Sequence, residues 1–223
     1  MNTDQKRIAI IVKLLQYSYP NAHMMLTYKT PWELLVAVML SAQCTDVMVN
    51  KVTPILFSLY PTMKNIATAD PTKLEQTIKS TGFYRNKAKH MIGAAKLLIQ
   101  RFHGEIPHTM EELVTIPGVA RKTANVVLVN AFHKNEGVAV DTHVLRLSQR
   151  LHLVPPTAYG NPIKTEQELM KQIPKSEWGN ITYRLIDHGR AVCTGQKPKC
   201  DLCILANVCP SVFLFQREKR GSM

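Results

Sequence analysis

Residues Glu111 to Phe132 read EELVTIPGVARKTANVVLVNAF, and this stretch decides the fold. Its apolar spacing predicts a first helix ending near Ile116, a tight turn at Pro117-Gly118-Val119, and a second helix starting at about Arg121. Glycine in such a turn permits positive φ and close backbone approach. Exposed N–H groups at the turn and at the start of the next helix make an anion site. A neutral turn that grips phosphate through backbone amides holds DNA without reading its sequence. An ordinary helical hairpin would share the pattern, so Gly118, Ala120 and Arg121 are candidate DNA contacts.

Outward from the hairpin the chain reads almost wholly helical. Ile8, Ile11, Leu14 and Leu15 share one helical face. Thr30-Pro31-Trp32-Glu33 combines a Thr cap, Pro at the first position and a capping-box Glu. The following LLVAVMLSAQ (34–43) is apolar on nearly every side, which predicts a helix at the buried centre of a domain. Asp70-Pro71 opens another helix, and Ala88, Met91, Ile92, Ala95, Leu98, Ile99 and Phe102 trace a stripe along the next. Thr109 to Glu112 and Thr165 to Glu168 repeat the capping-box pattern. Val138-Ala139-Val140 is the one short strand candidate. Helices joined by short connections, without repeats or Gly/Ser linkers, imply an all-α protein.

The 223 residues carry 28 Lys plus Arg against 16 Asp plus Glu, a net charge of +12. That excess favours a polyanionic partner, with nucleic acid ahead of an anionic membrane. No apolar run reaches the roughly 18 residues of a membrane span. The N-terminal apolar stretch is broken at Lys13 and lacks a small-residue cleavage site, so no secretory signal is expected. The expected location is intracellular and reducing, cytoplasmic or nucleoid-associated.

Cys193, Cys200, Cys203 and Cys209 are spaced C-x6-C-x2-C-x5-C. Such clustering in a reducing compartment points to metal rather than disulfides. Four thiolates can complete a tetrahedral zinc site or hold a cubane iron–sulfur cluster. Structural zinc usually uses two close pairs, whereas only Cys200 and Cys203 are close here, so the spacing fits the cubane better. The loop lacks an apolar stripe, and metal is expected to order it. Arg190, Lys197 and Lys199 could meet phosphates, or form a solvated basic surface.

Lys122 lies in the first turn of the second hairpin helix. A helix N-terminus disfavours an ammonium, and a neutral, partly buried amine is a nucleophile suited to Schiff-base chemistry. A phosphate-binding lysine beside Arg121 fits this segment equally well. Asp141, after Val138-Ala139-Val140, is placed as an N-cap, and near a lysine nucleophile its carboxylate could also shuttle protons.

These segments together resemble the endonuclease III family of DNA glycosylases over nearly the whole chain. The resemblance rests on LLVAVMLSAQCTD (34–46), TGFYRNKA (81–88), IPGVARKTANVVL (116–128), VAVDTHVLR (138–146) and the cysteines after HGRAVC. It implies a six-helix domain over 22–135 containing a helix–hairpin–helix. It also implies a second helical domain of 1–21 and 136–223 with a [4Fe–4S] loop, and a DNA cleft between the two. The implied partner is double-stranded DNA with damaged bases or abasic sites, met by a monomer. The implied activity removes oxidised pyrimidines and cleaves 3′ to the abasic site by β-elimination. In that scheme Lys122 is the nucleophile, Asp141 assists at the sugar, and Gln43 fills the gap left by the flipped nucleotide. Phe83 takes the wedge position, where leucine is common, or is a core residue. Ala120 replaces a common second hairpin glycine, which costs little if that residue is helical. Cys44 reads as a small packing group. Asp46 and His143 could line the lesion pocket or serve as capping or hydrogen-bonding residues.

Two other functions fit less well. A monofunctional adenine or mismatch-thymine glycosylase would generally lack the hairpin lysine. A non-catalytic DNA-binding iron–sulfur protein would not need both Lys122 and Asp141.

Overall fold

The computed structural model describes residues 3–214. Its helices, in chain order, are α1 (Thr3–Ser18), α2 (Pro31–Ser41), α3 (Asp46–Leu59), α4 (Met63–Ala67), α5 (Pro71–Ile78), α6 (Tyr84–Phe102), α7 (Met110–Leu113), α8 (Arg121–Phe132), α9 (Thr142–Arg150), α10 (Pro162–Gln172) and α11 (Trp178–Ala191). No strand occurs among the described residues; Val138-Ala139-Val140 is a buried non-helical segment instead. The chain divides into two compact units, one of Met24–Glu136 and one of the residues up to His23 with those from Gly137 onward.

In the Met24–Glu136 unit, α2 is the central helix. Trp32 and every residue from Leu34 to Leu40 are buried. Thr30 Oγ1 accepts from the Glu33 N–H at 3.2 Å, and the Glu33 carboxylate reaches back to the Lys29 N–H at 2.7 Å. The first bond satisfies a donor that the helix start leaves without a partner, and the second ties down the residue before the cap in place of the reciprocal bond of a capping box. α2 packs on α3, α6 and α8, and α6 on α4 and α5. The buried side of α6 is Lys87, Ala88, Met91, Ala94, Ala95 and Leu98, while Ile99 turns outward at 38% exposure. The expected stripe was therefore rotated, with a lysine inside and an isoleucine out.

In the other unit, Ile8, Ile11 and Leu15 of α1 pack with Val144 and Leu147 of α9 and Ile181 and Leu185 of α11. α10 starts at Asn161, whose side chain caps the Lys164 N–H, followed by Pro162. The capping box expected at Thr165 lies inside the helix, where the buried Thr165 hydroxyl donates to the Ala158 carbonyl. Asn-Pro is the stronger start because proline presets φ and lacks the donor that position cannot satisfy.

Candidate functional site

The connection between the two hairpin helices is longer than the sequence suggests. α7 ends at Leu113, three residues before Ile116, and the chain reaches Gly118 through hydrogen-bonded turns. Gly118 has φ +80°, and a Cβ there would stand 2.8 Å from His90 Cβ and 2.9 Å from Met39 Cε. Only glycine fits both the backbone sign and the space. Ala120 is the N-cap of α8 at φ −92° and ψ 169°, extended rather than helical. Its negative φ still admits a Cβ, so the replacement of glycine is tolerated for a different reason from the one expected. No side chain caps α8, so its first N–H groups are offered outward beside the exposed Gly118 and Ala120.

Lys122, second in α8, is exposed rather than partly buried. Burial in α8 begins at Ala124 and Asn125, so Lys122 in the first turn projects beyond the enclosed part of the helix. Arg121 beside it is half-buried. Gln43 and Phe83 sit on the two loops flanking α2 and α6, at φ +52° and +47°. Gln43 is exposed, and Phe83 is 61% exposed, which removes it from the core. Asp46 opens α3, but the cap is the Thr45 hydroxyl, accepting from the Met48 N–H at 3.2 Å. Cys44 is half-buried in the same loop.

In the other unit, Asp141 caps α9: Oδ1 accepts from the Val144 N–H at 2.8 Å. One helical turn on, Arg146 donates to His143 Nδ1 at 3.1 Å and to the Gly189 and Cys193 carbonyls. The His143 pKa lies below its ordinary 6.5, chiefly because burial disfavours the cation; Asp141 opposes this, and Arg146 and Arg190 add to it.

Cys193, Cys200, Cys203 and Cys209 line one partly open cavity with Leu147, Leu151 and His188. Burial pushes the Cys203 thiol up to about 11, and the neighbouring thiolates add to the shift. Four such sulfurs need nearby positive charge to stand together as thiolates. Among the described residues no three His, Cys, Asp or Glu side chains meet around a single ion. A donor set spread around a volume fits a multi-iron cluster better than one tetrahedral ion.

The loop is also held by protein. Arg150 donates to Cys193 Sγ at 3.4 Å and to the Thr194 and Gly195 carbonyls, each at 2.6 Å. Leu205 is fully buried against the core of α1, α9 and α11, with Cys193, Cys203 and Cys209 packed on it. These protein contacts act alongside the metal expected to order the loop. Arg190, Lys197 and Lys199 are all exposed, and Lys199 Nζ also donates to the Ala191 carbonyl at 3.2 Å. Arg146 and Arg150 escaped the sequence reading, and their spacing of four along α9 was the available signal.

Residues 36–175 match the model of the HhH-GPD superfamily of base excision DNA repair proteins, and residues 193–209 that of the iron-sulfur binding domain of endonuclease III. An endonuclease III from Synechocystis sp. is 53% identical over 95% of each chain. A solved endonuclease III in non-covalent complex with DNA superposes with a TM-score of 0.90 at 41% identity, covering 97% of this chain and 100% of that one. A trapped endonuclease III–DNA covalent intermediate gives 0.89 at 41% identity, covering 99% and 100%.

Proposed function

Since the chain belongs to the endonuclease III family of base excision DNA repair proteins, we propose how its own residues carry that family's reaction. The protein is a DNA-binding, bifunctional DNA glycosylase and AP lyase with a [4Fe–4S] cluster. The proposed substrate is an oxidised pyrimidine in duplex DNA, met by a single copy of the chain at the nucleoid.

Lys122 Nζ attacks C1′ of the extruded nucleotide as its bond to the base breaks, and the base leaves with a proton. The C1′–O4′ bond then opens, O4′ takes up a proton as the nitrogen gives one up, and the C1′ imine that results acidifies the C2′ proton, whose loss expels the 3′ phosphate by β-elimination. Asp141 takes up and returns protons at the sugar. The amides beside Gly118 and Ala120, with Arg121, hold the phosphates. Gln43 and Phe83 enter the stack where the nucleotide leaves it. Asp46 and His143 face the extruded base. Cys193, Cys200, Cys203 and Cys209 would hold the cluster, which when bound supplies a rigid four-point tether for a loop that presents Arg190, Lys197 and Lys199 to the backbone.

The observation that carries this reading is the exposed Lys122 in the uncapped first turn of α8, directly after the glycine-opened hairpin. A nucleophile is thereby set next to phosphate-binding amides. Borohydride should trap a protein–DNA adduct on a damaged duplex, and Lys122→Gln should abolish trapping and nicking while duplex binding persists. Trapping by Lys122→Gln at the wild-type rate would assign the chemistry to another amine. Base release by wild type without trapping or nicking would favour a monofunctional enzyme.

A further inference from the structure

Lys87 has no part in the chemistry above, yet it is the most enclosed lysine among the described residues, at 6% exposure. Its Nζ donates to the Leu40 carbonyl and to the Thr81 carbonyl, each at 2.7 Å. Leu40 lies in the last turn of α2, where carbonyls lack helical partners, three residues before Gln43. Thr81 ends a 3-10 turn two residues before Phe83. Cys44 is close enough to act on the Lys87 charge. One ammonium thus ties together the roots of the two loops that bear Gln43 and Phe83.

Both loop residues are held in a conformation that side chains resist. Gln43 and Phe83 have φ of +52° and +47°. His103 and His133 are also left-handed, but they terminate α6 and α8, where that conformation is customary. Phe83 is different, since it is the N-cap of α6, a position usually extended. Such backbone strain persists only where the surroundings over-determine it. Lys87 fits that need: it sits one turn into the helix that Phe83 opens, and its own N–H bonds the Phe83 carbonyl at 3.1 Å. An apolar side chain would be cheaper to bury than an ammonium, but it could not fix two carbonyls at one point.

We propose that Lys87 is a positioning residue that sets Gln43 and Phe83 as one rigid pair before DNA is bound. The ordering cost of insertion is then met in the free protein, so it does not weaken recognition of the extruded state. This inference rests on the reading of Gln43 and Phe83 as the inserting residues.

The test is a mutant cycle on the full-length, cluster-loaded protein. Its readout is the ratio of affinities for a duplex holding a tetrahydrofuran abasic analogue and for the undamaged duplex. A 2-aminopurine opposite the analogue reports unstacking. Lys87→Met keeps the length of the side chain and removes its donors. The expected result is a ratio lowered about tenfold, with slower 2-aminopurine unstacking. In the Gln43→Ala/Phe83→Ala background, Lys87→Met should change neither readout further, because a residue that acts through others has nothing left to position. A Lys87→Met ratio within twofold of wild type, or an equal further loss in the double-alanine background, overturns the proposal. If Gln43→Ala/Phe83→Ala itself leaves the ratio unchanged, the insertion reading fails first. Should Lys87→Met not fold, Lys87→Arg, whose donors have a different reach, enters the same cycle with the same two outcomes.

Discussion

Replacing Asp141 separates two jobs held by one carboxylate. Oδ1 accepts the Val144 N–H at 2.8 Å and so caps α9, whose Val144 and Leu147 lie in the core. Asparagine serves as well as aspartate at an N-cap, while alanine loses about 1 kcal/mol. In a chain of this size that loss lowers the melting midpoint by about 2–4 °C. A positioned acid–base group contributes on the order of 10²-fold to turnover, or about 2.7 kcal/mol of barrier. Against a domain stability of roughly 5–15 kcal/mol, a 1 kcal/mol cap loss leaves the folded fraction near unity. A hundredfold loss of rate therefore cannot come from unfolding. Asp141→Asn should melt close to wild type and release base about 10²-fold more slowly in single-turnover assays. Asp141→Ala should show the same loss of rate and a lower midpoint. If the asparagine variant keeps its rate within about threefold while alanine still lowers the midpoint, the carboxylate is only a cap.

Gly118→Ala must place a Cβ 2.8 Å from His90 Cβ at φ +80°. Left-handed strain of about 1–2 kcal/mol and overpacking of about 1–3 kcal/mol should together appear in urea unfolding, and a loss below about 0.5 kcal/mol would refute the close-approach argument. If roughly five phosphates are neutralised, duplex affinity should fall with salt at a log–log slope of about −4 to −5, and a flat response would remove the electrostatic model. The pKa of His143 is lowered below 6.5, so an unfolded chain takes up its proton first as pH falls. Its contribution is complete above pH 6.5 and declines as pH drops toward the folded value. The stability gap between wild type and His143→Gln should accordingly narrow from pH 7.5 to pH 5.5, and a constant gap would contradict the shift.

What was legible in the sequence was local. Thr30 and Asp70 cap the next turn of their own helices, so the bond and its partner lie within three residues. The four cysteines share one loop, and their chemistry is visible in their spacing. What was hidden depends on partners far along the chain. Nothing local marks Lys87 as buried, because its acceptor Leu40 lies 47 residues away. Arg146 and Arg150 go unmarked in the sequence, since the carbonyls they hold follow 43 to 47 residues later. The partial burial expected of Lys122 failed for another reason. An apolar helix composition does not say how far the first turn projects beyond the core, and here burial begins only at Ala124, two positions later.

The proposed functional side chains fall at helix ends. Gln43 follows α2, Phe83 precedes α6, Lys122 lies in the first turn of α8 and Asp141 caps α9. Helix interiors satisfy their own backbone groups and bury an apolar face, which leaves little for a phosphate or a sugar to meet. At the ends, free N–H and C=O groups, side chains and abrupt turns come together. That location has a cost in backbone strain at Gln43 and Phe83, which the buried middles of α2 and α6 must offset. It also makes stability and recognition separable. A substitution at Leu35 or Ala124 should act on the core alone, whereas one at Lys122 or Phe83, both exposed, should leave the core packing in place and alter what the protein does to DNA.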